Sequence, residues 1–169
     1  MQETLADFPI IETDRVCVSP LGVDDAAALS AITDVSVIDR ISFLDESFTV
    51  DAARTLIVGD GRRRDRFLGV WLRATGHLVG TIGMHLRGAG EIEIGYWLAS
   101  SARGEGLATE ALPPVARALA ALHPDRRIVA ECDPENLPSW RLLRRLGFIE
   151  TGEAGHRPGR RLLAWTAPG

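Results

Sequence analysis

Apolar and polar positions change period several times along the chain, and each change marks an element. Residues 10–18 alternate as a strand does, with Val16 and Val18 on one face and Arg15 and Cys17 on the other. Pro20 stops that run. From Asp24 the positions Ala26, Ala27, Ala28, Leu29 and Ile32 predict a helix that ends near Asp34. Residues 50–58 predict a second helix, closed by Gly59 and Gly61. The run Arg62, Arg63, Arg64, Asp65, Arg66 reads as a solvated loop, with a phosphate-contacting patch as the alternative.

From residue 67 the period becomes that of a sheet. Strands are expected over residues 67–73, 77–86 and 91–98, with turns at Thr75-Gly76 and residues 88–90, which makes an antiparallel meander. A long helix follows from Gly106, then a strand at 127–132 and a helix at 137–146. Two last strands lie near 148–152 and 161–165. This order is α+β, one mixed sheet with helices on both faces. The 169 residues fit a single domain, 1–169, with its core at about 10–166 and no repeat or linker.

Composition narrows the function classes. Residues of the AVILMFWYC set make up 46% and charged residues 25%, which excludes a disordered or fibrous chain. No segment approaches the roughly 20 apolar residues of a membrane-spanning helix. The acidic start carries no secretory signal, so a cytoplasmic protein is expected. Cys17 and Cys132 have neither CxxC spacing nor a nearby histidine pair, and read as two buried reduced thiols with no metal. A net charge of −4 lacks the basic excess of a nucleic-acid binder. All 19 basic residues are arginine, which removes lysine Schiff-base chemistry.

The chemistry concentrates in residues 91–111. A strand runs into a short loop, and Arg103, Gly104, Glu105 and Gly106 lead into a helix through Leu107, Ala108 and Thr109. The glycines remove side chains where the chain turns, so successive N–H groups can face one oxygen-rich group at the positive end of the helix. Arg103 would add a guanidinium fork at the rim. The third glycine of a dinucleotide fingerprint is missing, as is the ending of a nucleoside-triphosphate loop. On this loop alone, a plain strand-to-helix turn is the preferred reading.

The segment Arg103-x-x-Gly106-x-Ala108 resembles the signature of the GNAT N-acetyltransferases. The likeness extends to Glu93-Ile-Gly-Tyr-Trp-Leu98, Ala108-Thr-Glu-Ala111 and Asn136-x-x-Ser139-x-x-Leu142-x-x-x-Leu146-Gly147-Phe148. It includes Thr13-Asp-Arg15 with Pro20-Leu21 and Asp24-Asp25-Ala26. These flanks are similar to the branch that acetylates N-terminal amines of ribosomal proteins. The resemblance implies a mostly antiparallel mixed sheet whose central strand bulges and splays from its neighbour. It implies acetyl-coenzyme A as co-substrate, its pyrophosphate on residues 103–109 and its pantetheine arm on the backbone of Tyr96, Trp97 and Leu98. Gly95 fits such a bulge or a close backbone approach, and equally a glycine packed beneath a tryptophan.

The resemblance also assigns roles. Glu93 matches a carboxylate base whose pKa partial burial would raise, with a solvated strand acid as the competing reading and His85 in reserve. Asn136 matches a pantetheine contact and also suits a helix N-cap. Ser139 matches a donor to the departing thiolate, because the tyrosine of other relatives is Leu143 here, with ordinary helix packing as the alternative. Arg145 matches a lysine near the 3′-phosphate, with a solvated helix face as the alternative. Four departures stand out: Glu105 in the loop, Pro113-Pro114 (which predicts a kink near residues 109–113), Leu143, and Ser19 where an arginine is common. The expected reaction is direct attack by a primary amine, a protein N-terminus or a small amine, in a ternary complex without an acyl-enzyme. Neither cysteine is expected at the reacting positions. A non-catalytic acyl-coenzyme A binding module and a nucleotide-phosphate binder are the alternatives. Relatives make a homodimer possible; no nucleic acid or membrane partner is expected.

Overall fold

The computed structural model describes residues 3–39, 41, 44 and 47–167. Eight strands form one sheet in the order β1-β2-β3-β4-β5-β6-β8-β7. They are β1 (Ile11–Glu12), β2 (Val16–Pro20), β3 (Asp65–Leu72), β4 (Leu78–Arg87), β5 (Glu91–Leu98), β6 (Arg127–Cys132), β7 (Phe148–Ala154) and β8 (Arg161–Trp165). The helices are α1 (Ala26–Ile32), α2 (Val35–Ile38), α3 (Val50–Val58), α4 (Leu107–Leu122) and α5 (Leu137–Arg145). Neighbouring strands are antiparallel except β5 and β6, which run parallel.

The predicted first strand is two strands: β1 folds back on β2, with Ile11 opposite Val18. Val16 and Val18 are both fully buried, as their alternation requires. The stretch read as a loop before residue 67 is already sheet, because Asp65 and Arg66 pair with His85 and Met84. Helix α3 ends where expected, with Gly59 at φ 67°. The short helix α2 is an addition; Asp34 opens it by accepting from the Ser36 amide at 3.0 Å.

Two apolar clusters sandwich the sheet. One joins Val16, Val18, Ile82, Met84, Ile92 and Ile94 to α4 and α5; the other joins Leu29, Val37, Ala53, Phe67 and Trp97 under α1, α2 and α3. Alternation along β5 sends Ile92 and Ile94 to the first cluster and Glu91, Glu93 and Trp97 to the opposite face. The expected kink is not a break: α4 is helical throughout residues 107–122 with both prolines inside. Pro113 and Pro114 orphan the carbonyls of Thr109 and Glu110, and all four residues are only half-buried, so water can satisfy those oxygens.

The feature that makes room for a site is the β5–β6 ladder. The strands pair only at Glu91–Arg127, Ile92–Ile128 and Glu93–Val129, and beyond Glu93 they part. On its other edge β5 pairs regularly with β4 to Leu98, so the expected bulge at Gly95 is absent. A Cβ built on Gly95 meets nothing within 4 Å, which also rules out packing beneath a tryptophan. The splay comes from the divergence of β6, and Gly95 keeps the gap clear.

Candidate active site

The gap opens into a cleft of about 1010 Å³. Residues 94–98 of β5 line it on one side and Ala130, Glu131 and Cys132 of β6 on the other. The α4 entry closes one end. The other end reaches α2, Phe67, Gly83 and His85.

At the α4 end, Gly104 and Gly106 adopt φ 80° and 78°, a backbone region that a residue with a Cβ enters only at a cost. Gly106 is the N-cap of α4 and has no side chain to cap it. Among the described residues, no amide from 104 to 109 donates to another protein group. Arg103, Gly104, Gly106, Leu107, Ala108 and Thr109 all line the cleft. Glu105 does not; its side chain is exposed, which removes the repulsion expected of an acid at this position. Arg103 departs from expectation, since its guanidinium donates to Ser36 Oγ at 3.0 Å and to the Leu98 carbonyl at 3.3 Å. It ties the loop to α2. The amides and the helix end fit a diphosphate, and the exposed Arg103 keeps its positive charge at the same rim.

In the middle of the cleft, Tyr96 from β5 points its hydroxyl to Ser139 on α5, 3.4 Å away and longer than a normal O–H···O bond. Burial raises the Tyr96 pKa above its ordinary value, so the hydroxyl keeps its proton. The sequence reading uses Tyr96 for its backbone alone; the structure adds its side-chain hydroxyl beside that of Ser139. Cys132 also lines the cleft, from β6, and burial pushes its thiol up. Its neutral thiol is a poor nucleophile. Cys17 is only partly buried, not enclosed as expected. Asn136 holds the N-cap position of α5, yet its side chain makes no capping bond and lines the cleft instead. Arg145 lines it from the last turn of α5, a position that suits a cation at the negative helix end.

The far end is a row of titratable groups across three strands. Register sets Asp65 opposite His85, and His85 opposite Glu93. His85 Nδ1 lies 2.7 Å from Asp65 Oδ1, and only 7% of the residue is exposed. A Cβ on Gly83 would sit 2.7 Å from His85 Nε2, so this glycine leaves room for the ring at the cleft wall. Glu93 is 3% exposed and receives Arg87 Nε and Arg157 Nη1, each at 2.8 Å. Arg157 Nη1 also reaches Glu131 Oε2 at 2.8 Å. Burial pushes the Glu93 carboxyl up, but the two guanidiniums outweigh it and hold the pKa below the ordinary value. The expected rise toward neutrality is therefore overturned. Asp65 is likewise held low, chiefly by its hydrogen bond to His85.

The strand pattern alone was one clue to this row. Extending the alternation of β3 back by two residues would have put Asp65 beside His85. The arginines gave no such clue, because Arg157 lies 64 residues from Glu93 along the chain.

Residues 15–149 match the family model described as an acetyltransferase (GNAT) domain. That span covers well over half of the chain. The protein belongs to the GNAT acetyltransferase family. It is therefore an acyltransferase, and its family draws acetyl groups from acetyl-coenzyme A. An uncharacterised N-acetyltransferase of Bacillus subtilis, YoaA, is 30% identical over 86% of this chain and 85% of its own. The structure of Mycobacterium smegmatis RimJ in complex with a coenzyme A disulfide is 28% identical, with a TM-score of 0.72 over 90% of this chain and 82% of that one. A RimL ribosomal L7/L12 acetyltransferase in complex with coenzyme A shares the fold at a TM-score of 0.76. It is 18% identical over 92% of this chain and 97% of its own. The GNAT expectation is borne out, and the structures similar to this chain include RimJ and RimL proteins, in line with the resemblance. Among the described residues no helix is long and apolar enough to cross a membrane.

Proposed function

We propose that this enzyme binds acetyl-coenzyme A along the β5–β6 gap and transfers the acetyl group to the α-amine of a protein N-terminus. The observation that carries this reading is the continuity of the cleft: it runs from the amides of residues 104–109, past the unpaired edge of β5, to His85 and Glu93. In this reading the loop amides take the diphosphate, the backbone of Tyr96, Trp97 and Leu98 takes the pantetheine arm, and Asn136 adds a polar contact. Arg145 lies by the phosphate of the ribose.

The amine enters from the α2 end. Asp65 holds the His85 ring at the cleft wall through Nδ1, and in this reading His85 takes the ammonium proton. Glu93 is held as an anion by Arg87 and Arg157 and acts by steadying the positive charge rather than by removing the proton. The amine then attacks the thioester carbonyl directly. The departing sulfur receives a proton from Ser139 or Tyr96. The likeness to RimJ and RimL supports a protein N-terminus as acceptor.

A thiol-release assay over short peptides with free N-termini, the same peptides with blocked N-termini, and a set of polyamines tests the acceptor. Turnover on the free peptides is expected. Turnover confined to polyamines would overturn the protein N-terminus, and binding without turnover on any amine would leave a coenzyme-binding module.

A further inference from the structure

The amides of residues 104–109 can serve a diphosphate only while they face the cleft, and glycines at 104 and 106 leave the loop free to rotate. Something outside the loop must fix it. Arg15, in the turn between β1 and β2, donates from Nη1 to the Glu105 carbonyl at 2.8 Å. A trans peptide is planar and points its C=O and the following N–H in opposite directions. Holding the Glu105 oxygen from the Arg15 side therefore turns the Gly106 N–H away from Arg15. Gly106 lines the cleft, whereas Arg15 stands outside it.

Arg15 is itself fixed. Its Nε donates to Glu110 Oε1 at 2.8 Å, and its backbone N–H donates to Glu110 Oε2 at 2.9 Å. The Thr13 hydroxyl donates to the same carboxylate oxygen. Burial pushes the Glu110 carboxyl up, but Thr13 and Arg15 together bring it down to about 2. Glu110 sits in the first turn of α4, where an unpaired anion would repel a bound diphosphate. The guanidinium offsets that charge while holding the loop.

We infer that Arg15, seated by Thr13 and Glu110, is a positioning residue for the diphosphate: its fork fixes the Glu105–Gly106 peptide so that the loop presents amides to the cleft. The inference rests on the proposal that coenzyme A binds there, and one comparison separates the two. Affinities for coenzyme A and for pantetheine, which lacks the diphosphate, are measured by calorimetry on the whole protein, its Arg15→Gln variant and its Arg15→Lys variant. Wild type is expected to prefer coenzyme A strongly; equal affinity for both would defeat the diphosphate reading itself. Arg15→Gln should weaken coenzyme A by about tenfold and leave pantetheine unchanged. Arg15→Lys keeps the charge without the fork and should recover little. Unaltered coenzyme A affinity in Arg15→Gln, parallel loss of both ligands, or full recovery with lysine would each overturn the inference.

Discussion

Glu93 illustrates how one side chain's partners decide its chemistry. A buried carboxylate alone would gain a proton near neutrality, but with a guanidinium on each oxygen it stays ionised. Its carboxyl is held below the ordinary 4.5, so its contribution to stability is present above that pH and is lost as pH falls below it. Glu93→Gln is thus expected to lower kcat by about tenfold while the Kd for acetyl-coenzyme A stays as it was. Steady-state kinetics beside calorimetry reads both. On the proposal that His85 accepts the ammonium proton, His85→Gln should cost about a hundredfold in kcat/KM. A variant that keeps the wild-type kcat/KM would place the base elsewhere. Ser139→Ala and Tyr96→Phe should each slow turnover modestly, and the double variant should fall further than either, since two hydroxyls share one sulfur.

At the level of elements, the entry to α4 is the most exposed to single changes. Gly106→Glu forces a residue with a Cβ to φ 78° and sets that Cβ 3.6 Å from Arg15 Nη2, so the strained loop should bind coenzyme A much more weakly in calorimetry. The strap from β1–β2 to α4 has its own pH signature. Because the Glu110 carboxyl lies at about 2 against an ordinary 4.5, the ion pair stabilises the fold above pH 4.5 and fades as pH drops toward 2. Melting curves of wild type and Glu110→Gln should therefore lie apart at pH 7 and converge in strong acid. Most elements were legible in the sequence because local signals set them. The ends of α3, β5, β6 and β8 follow from turn glycines and from alternation. Helix α2 spans only Val35–Ile38, too short to show a period, and it depends on Asp34 and on packing of Val37 beneath the sheet. The prolines of α4 broke a local rule at a place where hydration makes the cost tolerable.

For the molecule as a whole, the family and the fold class were readable from motifs and periods spread along the chain, whereas contacts between distant segments were not. Arg157 on Glu93, Arg15 on Glu110 and Tyr96 beside Ser139 each join residues far apart in sequence, and no spacing rule reports such pairs. Direct transfer predicts that intact-mass spectra of enzyme mixed with acetyl-coenzyme A alone show no acetylated protein, Cys132 included. The short β5–β6 ladder carries a further consequence. Two portions of the sheet, β1–β5 and β6–β8, are stitched by three residue pairs at one end of the seam. A ligand laid along the remaining length would supply the missing rungs. Deuterium should then enter the Tyr96 and Leu98 amides, which point away from β4, quickly in the free protein and slowly once coenzyme A is added, while the Ile92 amide keeps its protection throughout.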